Sequence, residues 1–444
     1  MVVWKQLPLV VQALVMVQHF QHVLSRYSNV TLTSNGGDLS VVVYLPSGIK
    51  PDQTYYSSTR FEHGSMIGAI TRRSRDAAGN EHRHVLYGTN RWRVPHDPYW
   101  PESGVGLASE FGVGDDGAFC NYRCGWYGVN DVTNGVLGYR EARSGESFLK
   151  IGVGELIKGS CSTCDSTDDF KFNSPYKFAK PPLWTMQSSD SHNSVTLEHE
   201  AGLNQHGYRL RKDITLINNE LLVKTTLTNV GRTPFSTAWY SHHFYTCDGE
   251  QVGPGYSVDV NLAGTGGAFE EPGTWFWSKP LRDYAEVTSA SENVQIQMRR
   301  YVERDARIKA EFVRDDTSNG GFTLRACGTA IEEQIPEVGT PEGVSMYAFN
   351  LYIEADTFSP EPQILIHLFP GATTSWTQRL IFTDDERDQA EPTNKLLRTT
   401  IVSQDSSKLP GLHFVAFLLV VSVIFGSVQR LWKRNNEYAP IPDQ

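Results

Sequence analysis

Hydrophobic and polar residues alternate along much of the chain between about residue 30 and residue 405. GYRLRKDITLI at 207–217 alternates aliphatic and charged residues, LLVKTTLTNV at 221–230 alternates in part, and FSPEPQILIHLF at 358–369 is β-branched and aromatic around its prolines. This period of two predicts strands with one buried face. Turn signals occur at Asn35-Gly36, Asn134-Gly135, Asp248-Gly249 and Asn319-Gly320. Because no long helical period, repeat or Gly/Ser linker interrupts this region, we predict one large all-β domain over residues 29–383.

An apolar run near the C-terminus has a different character. LHFVAFLLVVSVIFGSV at 412–428 carries no formal charge when His413 is neutral. As a helix it spans roughly 26 Å, which predicts a transmembrane helix over residues 410–432. A buried core helix is the alternative. The polar tail that follows argues against a lipid-anchor signal, which would end in its apolar segment.

Basic residues lie mainly after this run, at Arg430, Lys433 and Arg434, whereas only Lys408 lies close before it. The positive side of a membrane helix faces the cytoplasm. We therefore expect a single-pass type I membrane protein whose body is extracellular or lumenal. Residues 384–409 would form a polar stalk and residues 433–444 a cytoplasmic tail.

The first 28 residues also contain an apolar stretch, LPLVVQALVMV, preceded by Lys5. Its length favours a signal peptide over an uncleaved N-terminal anchor or an ordinary strand. Asn29-Val30-Thr31 follows directly and is a glycosylation sequon. Asn29 is thus a candidate glycan site.

Composition limits the partners and the redox state. The net charge of −10, with 39% hydrophobic and 20% charged residues, indicates a folded acidic body that would repel nucleic acid. Two close cysteine pairs, Cys120 with Cys124 and Cys161 with Cys164, favour disulfides in an exported protein, although the sequence does not choose among the three possible pairings of these four cysteines. A four-thiolate zinc site is the alternative. Cys247 and Cys327 remain without an assigned role.

Standard catalytic motifs are missing from the sequence: there is no phosphate loop, dinucleotide fingerprint, metalloprotease helix or Gly-x-Ser-x-Gly. Instead, histidine, arginine, carboxylates and aromatic residues gather in four clusters, at 55–64, at 94–98 with 106–112, at 240–249 and at 358–362. Such a mixture suits a polyhydroxylated ring with apolar C–H faces. The structural alternative is a set of core aromatic residues with paired charges.

Taken in order, these clusters resemble the aldose 1-epimerase (galactose mutarotase-like) superfamily, in particular a branch that opens with Tyr-Tyr-x-x-Thr-Arg-Phe. The resemblance runs from about Tyr55 to Phe382. It includes the phrases Gly138-Tyr139, Phe148-Leu149-Lys150-Ile151-Gly152-Val153-Gly154, Leu227-Thr228-Asn229-Val230-Gly231 and Ser359-Pro360-Glu361-Pro362. The resemblance implies a β-supersandwich with a concave face that binds a sugar or glycan.

In such epimerases a histidine acts as general acid and a glutamate as general base, without metal or cofactor. By position, His242 matches the acid and Glu361 the base. Arg60 and His96 are then candidate binders of sugar hydroxyls or the ring oxygen. Glu110 and Asp248 are weaker candidates, because an acidic residue at either position could simply pair with Arg60.

Two positions leave alternatives open. His243 follows His242, and adjacent strand residues point to opposite faces, so only one of them can reach the sugar; we favour His242. Glu361 lies between two prolines, which suits a fixed carboxylate but also a plain edge-strand turn. An aldose 1-epimerase-type enzyme is therefore the leading hypothesis. A non-catalytic carbohydrate-binding or structural protein, or a subunit of a membrane assembly, is the alternative. An open, aromatic-lined cleft in which a histidine meets Glu361 would favour the enzyme, whereas a filled cleft would favour the binding or structural protein.

Overall fold

The computed structural model describes residues 27–46, 49, 53–75, 80–87, 105–112, 135–161, 164, 170–171, 174–188, 192–261, 273–274, 278–290, 293–313, 320–335 and 344–385. Over these residues the prediction of an all-β fold is confirmed: the strands form two large antiparallel sheets and one small sheet. A 3₁₀ turn lies at Leu281–Asp283.

The first sheet consists of β1 (Asn29–Thr33), β2 (Leu39–Tyr44), β3 (Met66–Arg75), β4 (Glu81–Tyr87), β5 (Leu107–Phe111), β14 (Phe235–His243), β15 (Thr246–Cys247), β17 (Gly273–Thr274), β20 (Ile308–Val313), β23 (Val344–Glu354) and β24 (Thr357–Leu368). Its strands follow the order β1-β2-β3-β5-β14-β24-β23-β20-β17, and β4 pairs with both β3 and β15.

The second sheet consists of β10 (Thr185–Ser188), β11 (Ser194–Leu203), β12 (His206–Ile217), β13 (Glu220–Asn229), β16 (Ser257–Asn261), β18 (Ala285–Ala290), β19 (Asn293–Met298), β21 (Gly320–Ala326), β22 (Thr329–Ile335) and β25 (Thr373–Asp384). Its strands follow the order β10-β11-β12-β13-β25-β22-β21-β16-β19-β18. The small sheet joins β6 (Val136–Leu137), β7 (Ser147–Lys150), β8 (Gly154–Ile157) and β9 (Phe178–Lys180).

The alternating sequence explains why these segments are strands. In β12, Leu210 and Ile214 are fully buried while Arg211 and Asp213 are partly exposed. Lys212 shares the buried face, where its ammonium group donates to Glu62 Oε1 at 2.6 Å. Successive side chains of a strand point to opposite faces, so this pattern places one apolar face on the core. The predicted strand at 207–217 is confirmed.

The two large sheets pack face to face. Trp239 of β14 and Trp376 of β25 are fully buried, with ring centroids 5.2 Å apart. Phe349 of β23 meets Phe322 of β21 at 6.1 Å. One apolar core therefore lies between the sheets. The opposite face of the first sheet, here called the outer face, points away from the second sheet.

Disulfides tie two places in this body. Cys161 and Cys164 are bonded to each other, which confirms oxidation at this predicted pair and removes both thiolates from the zinc alternative. Cys247 is bonded to Cys327, a pairing that we did not predict; it joins β15 of the first sheet to the turn between β21 and β22 of the second. Cys120 and Cys124 lie outside the described residues.

Several predicted segments also lie outside the described residues: 1–26 of the signal peptide or anchor, nearly all of the stalk, the transmembrane helix at 410–432 and the tail at 433–444. Within the described ranges, no helix has the length and apolar character to cross a bilayer. Asn29 is the first residue of β1, and its side-chain amide donates a hydrogen bond to the Tyr27 carbonyl.

Candidate functional site

Backbone register brings His242 and Glu361 to the same place. β14 and β24 pair antiparallel with Tyr240 opposite Gln363, and the bridge between Tyr245 and Phe358 continues the same register. His242 therefore lies directly opposite Glu361 on the neighbouring strand.

The prolines beside Glu361 interrupt the ladder on one side only. Pro360 and Pro362 pair in register with β23, whereas the continuous pairing with β14 stops at Gln363. Proline has no N–H to donate, so the ladder opens between β14 and β24 where the site lies. Glu361 is thus held in a central strand, and the alternative of a plain edge-strand turn is wrong.

His242 and His243 point to opposite faces, as expected for adjacent strand residues. His243 lies in the core between the sheets, where its Nδ1 is 3.2 Å from Glu333 Oε2 and 3.0 Å from the Tyr245 hydroxyl. His242 lies on the outer face with Glu361. Of the two histidines, only His242 is placed beside Glu361.

The His242–Glu361 pair is in direct contact. Nε2 of His242 is 3.2 Å from Oε1 of Glu361. The Ser359 hydroxyl lies 3.3 Å from His242 Nδ1 and 3.5 Å from Glu361 Oε1. His242 is 4% and Glu361 3% exposed. The expected convergence is present, but both side chains are covered, which is the outcome that favours the binding or structural alternative.

Aromatic rings surround His242. Its ring centroid is 4.2 Å from that of Phe244, 5.4 Å from Phe61 and 5.7 Å from both Tyr240 and Tyr352. Ring faces of this kind pack well against the C–H faces of a sugar. They also exclude water, which strengthens charge interactions within the site.

Arg60 belongs to a second cluster on the same side of the sheet. Its Nε donates to Glu110 Oε2 at 3.2 Å, and the Tyr240 hydroxyl donates to the same oxygen at 2.6 Å. Lys150 Nζ donates to Glu110 Oε1 at 3.0 Å and to the Arg60 carbonyl at 2.6 Å. Glu110 is therefore engaged by Arg60, Tyr240 and Lys150, as the alternative of simple pairing with Arg60 expected.

The remaining predicted binders are placed differently. Asp248 follows β15, and its carboxylate accepts from the Val85 N–H at 2.7 Å and contacts His84 Nδ1 at 2.9 Å. Cys247 lies close to both side chains, but it is engaged in its disulfide. His96 lies outside the described residues. Their roles as substrate binders stay predictions.

Burial controls protonation at the His242–Glu361 pair. It raises the pKa of Glu361 to about 7, against the opposing effects of Lys309 and Arg60. Burial also lowers the pKa of His242 well below its ordinary value, and the charges of Arg60 and Lys309 add to this. Near pH 7 the Glu361 carboxyl group is therefore about half protonated, while the His242 ring is mainly neutral. This differs from the expected protonated histidine beside an ionised glutamate, because burial disfavours both charged forms.

The shared proton defines what the pair can do. One member can remove a proton from a ligand while the other donates one, and the reverse transfer restores the starting state. Arg60 remains charged, since Tyr240 and Glu110 outweigh the effect of burial and raise its pKa. A polar ligand on the outer face would therefore meet a proton donor, a proton acceptor and a fixed cation.

Sequence reasoning missed several residues of this site. Lys150, Tyr240 and Ser359 stand inside the quoted motifs but were given no role. Lysine is seldom fully buried without a partner, and only the fold shows that Lys150 is 1% exposed between Arg60 and Glu110. The spacing of these residues was the available signal. Tyr240 lies two residues before His242 and Ser359 two residues before Glu361, so each shares a strand face with its predicted neighbour.

Comparison with solved structures finds proteins of the predicted superfamily. They include a provisionally named aldose 1-epimerase from Escherichia coli K12, with 14% identity, a TM-score of 0.39 and coverage of 81% of this chain and 99% of that one. The GalM/aldose epimerase homologue from C. elegans has 11% identity, a TM-score of 0.40 and coverage of 80% and 99%. A galactose mutarotase-like protein from Lactobacillus casei has 10% identity, a TM-score of 0.39 and coverage of 80% and 100%.

These neighbours carry the names of the superfamily that the sequence resembles. Identities of 10–14% and TM-scores near 0.4 transfer no activity and no residue role to this chain. No family model matches the sequence, and no curated protein matches it.

Proposed function

We propose that the protein is a carbohydrate-active, aldose 1-epimerase-like enzyme with a β-supersandwich body, which interconverts sugar anomers by acid–base ring opening. The observation that carries the proposal is the His242–Glu361 pair on an aromatic-lined sheet face, in which a histidine contacts a carboxyl group whose pKa is about 7. Anomer exchange needs one proton acceptor and one proton donor at neighbouring oxygens.

The reaction follows from that need. Ring opening starts from the less populated arrangement of the pair's proton, with His242 protonated and Glu361 ionised. Glu361 removes the proton of the anomeric hydroxyl, the C1–O5 bond breaks as the C1 carbonyl forms, and His242 gives its proton to O5. Rotation about C1–C2 turns the other face of the aldehyde to O5. Neutral His242 then takes the O5 proton as O5 attacks C1, and Glu361 returns a proton to O1. Ring opening therefore begins with the proton on His242, and ring closure begins with the proton on Glu361.

A non-catalytic carbohydrate-binding or structural subunit of a membrane assembly is the second candidate. The burial of His242 and Glu361 supports it, because a sugar reaches the pair only if the covering side chains move aside. On this reading the aromatic rings and Arg60 hold a glycan, and the buried proton-sharing pair stabilises the sheet.

The setting is also part of the proposal: a single-pass type I membrane protein whose body lies outside the cytoplasm and carries a glycan at Asn29. The two disulfides support it, because such bonds persist mainly in exported proteins.

Anomer exchange of D-glucose and D-galactose, measured by NMR with the full-length protein in detergent, separates the two candidates. We expect catalysis above the buffer rate, lowered roughly 10²- to 10⁴-fold in Glu361→Gln and in His242→Asn. His243→Asn is the matched control: it changes the neighbouring histidine on the core face and should keep the rate per folded molecule. Sugar binding without faster exchange would replace the enzyme by the binding module.

A further inference from the structure

Asn350 lies in the same row of the first sheet as His242 and Glu361. Asn350 of β23 lies opposite Glu361 of β24 on one side, and His242 of β14 lies opposite Glu361 on the other side. The order β14-β24-β23 puts the three side chains on consecutive strands, about 4.8 Å apart. Glu361 occupies the middle position.

The side chain of Asn350 points to the outer face. Phe349, its neighbour in β23, packs in the core against Phe322. Tyr352, two residues further along β23, places its ring 5.7 Å from that of His242. Because residues at i and i+2 share a strand face, Asn350 shares the face of Tyr352 and of the His242–Glu361 pair.

Asn350 carries an unsatisfied polar atom. The residue is 1% exposed, and its Oδ1 has no hydrogen-bond partner within the described part of the chain. A buried amide oxygen without a donor destabilises a fold unless a ligand or water completes it. The atom is an acceptor, so the complementary ligand group is a hydroxyl or an N–H.

We propose that Asn350 accepts a hydrogen bond from the substituent on C2 of the sugar and thereby selects substrates with a donor at that position. The inference rests on the proposed function. If His242 serves O5 and Glu361 serves the hydroxyl on C1, the next oxygen around the ring is that on C2. The strand beyond that of Glu361 carries Asn350, so the order of the sugar oxygens O5, O1 and O2 matches the order of the strands β14, β24 and β23.

This assignment predicts a definite substrate class. A C2 hydroxyl and a C2 acylamino group both carry a donor and fit Oδ1. A 2-deoxy sugar carries none and leaves Oδ1 unpaired in the complex. Selection arises because the site loses a hydrogen bond that it is built to make.

The experiment compares D-glucose with 2-deoxy-D-glucose, and D-galactose with 2-deoxy-D-galactose, by NMR anomer exchange. Each rate is divided by the rate of the same sugar in buffer, which removes differences in intrinsic reactivity. For the wild-type protein we expect kcat/KM to be roughly 10- to 100-fold higher for the sugar with a C2 hydroxyl. This comparison needs no mutation, so it does not depend on whether a variant folds.

Variants then assign the preference to Asn350. Asn350→Leu should bring the ratio close to one, mainly by slowing the sugar with the C2 hydroxyl. Asn350→Asp keeps an acceptor oxygen and should keep the preference. Thr374→Val is the matched control, because Thr374 Oγ1 is also buried without a partner in the described structure but lies in the second sheet.

The outcomes separate this inference from the proposed function. Catalysis by the wild type with equal ratios for both sugars, or a preference that survives in Asn350→Leu, overturns the role of Asn350 and leaves the enzyme intact. Binding without catalysis overturns the enzyme, and the ratio of the two dissociation constants then tests Asn350 in the same way. A protein that neither binds nor converts these sugars removes both.

Discussion

Nε2 of His242 lies 3.2 Å from Oε1 of Glu361, and the two residues face each other across neighbouring strands far apart in sequence. The contact needs no loop to position it, because the backbone register on both sides of it is fixed. Groups held by a sheet in this way are positioned before a ligand arrives, which is what proton transfer at a sugar requires.

The pH profile of anomer exchange should be set by the shared proton. Above about pH 7 the pair loses that proton, because the raised pKa of Glu361 is about 7. The acidic limb should lie well below pH 6.5, because the pKa of His242 is lowered. We expect kcat/KM to be near its plateau at about pH 6, to fall to about half by pH 7 and to fall further above pH 7. A rate that keeps rising to pH 9 would contradict the one-proton pair.

Glu361→Gln should change how stability depends on pH. The folded state holds the Glu361 proton more tightly than the unfolded state, so wild-type stability from this group is present below pH 4.5 and falls as pH rises toward 7. Glutamine lacks this dependence. Relative to the wild type, the variant should therefore gain stability between about pH 4.5 and 7 in urea unfolding curves. Parallel curves for the two proteins would argue that Glu361 is not protonated in the fold.

The two disulfides should differ in their effect on stability. The Cys247–Cys327 bond has a sequence separation of 80 and the Cys161–Cys164 bond one of 3. On the chain-entropy model the longer loop is worth about 4.5 kcal/mol and the shorter about 1.5 kcal/mol. Paired Cys→Ala variants, compared by urea unfolding, should follow that order. Peptide mapping without reduction should recover both bonds; free thiols at these four positions would refute the pairing.

Protease protection tests the proposed topology. In sealed vesicles that keep the cytoplasmic side outward, added protease should remove only the tail at 433–444 and leave the body intact. Asn29→Gln should increase the mobility of the protein on a denaturing gel if Asn29 carries a glycan, and treatment with a glycan-removing amidase should abolish that difference. Digestion of the body in intact vesicles would reverse the orientation.

Local sequence predicts the strands well, because alternation in a run such as β12 follows directly from which face is buried. The motifs also drew attention to His242 and Glu361. Their contact, however, depends on β24 pairing with β14 on one side and β23 on the other, a long-range arrangement that no local pattern contains.

Burial and the long disulfide escaped prediction for the same reason. A glutamate between two prolines suits a fixed carboxylate or a plain edge-strand turn, and neither interpretation predicts burial. Glu361 is nevertheless only 3% exposed, in a central strand. Its raised pKa is a property of the packed sheet and not of its neighbours in sequence. Likewise, Cys247 and Cys327 have no nearby cysteine to suggest a pair, and only the packing of the two sheets brings them together.

Alternate residues of β24 point to opposite faces of the sheet, so substitutions on the two faces have different consequences. Phe358 and Ile364 belong to the core between the sheets, so substitutions there destabilise the whole domain. Ser359 and Glu361 face outward, where substitution can remove or redirect chemistry while the architecture persists. Related proteins with this β-sandwich can therefore diverge into enzymes and non-catalytic binding proteins through substitutions at the outward-facing residues of β24 alone.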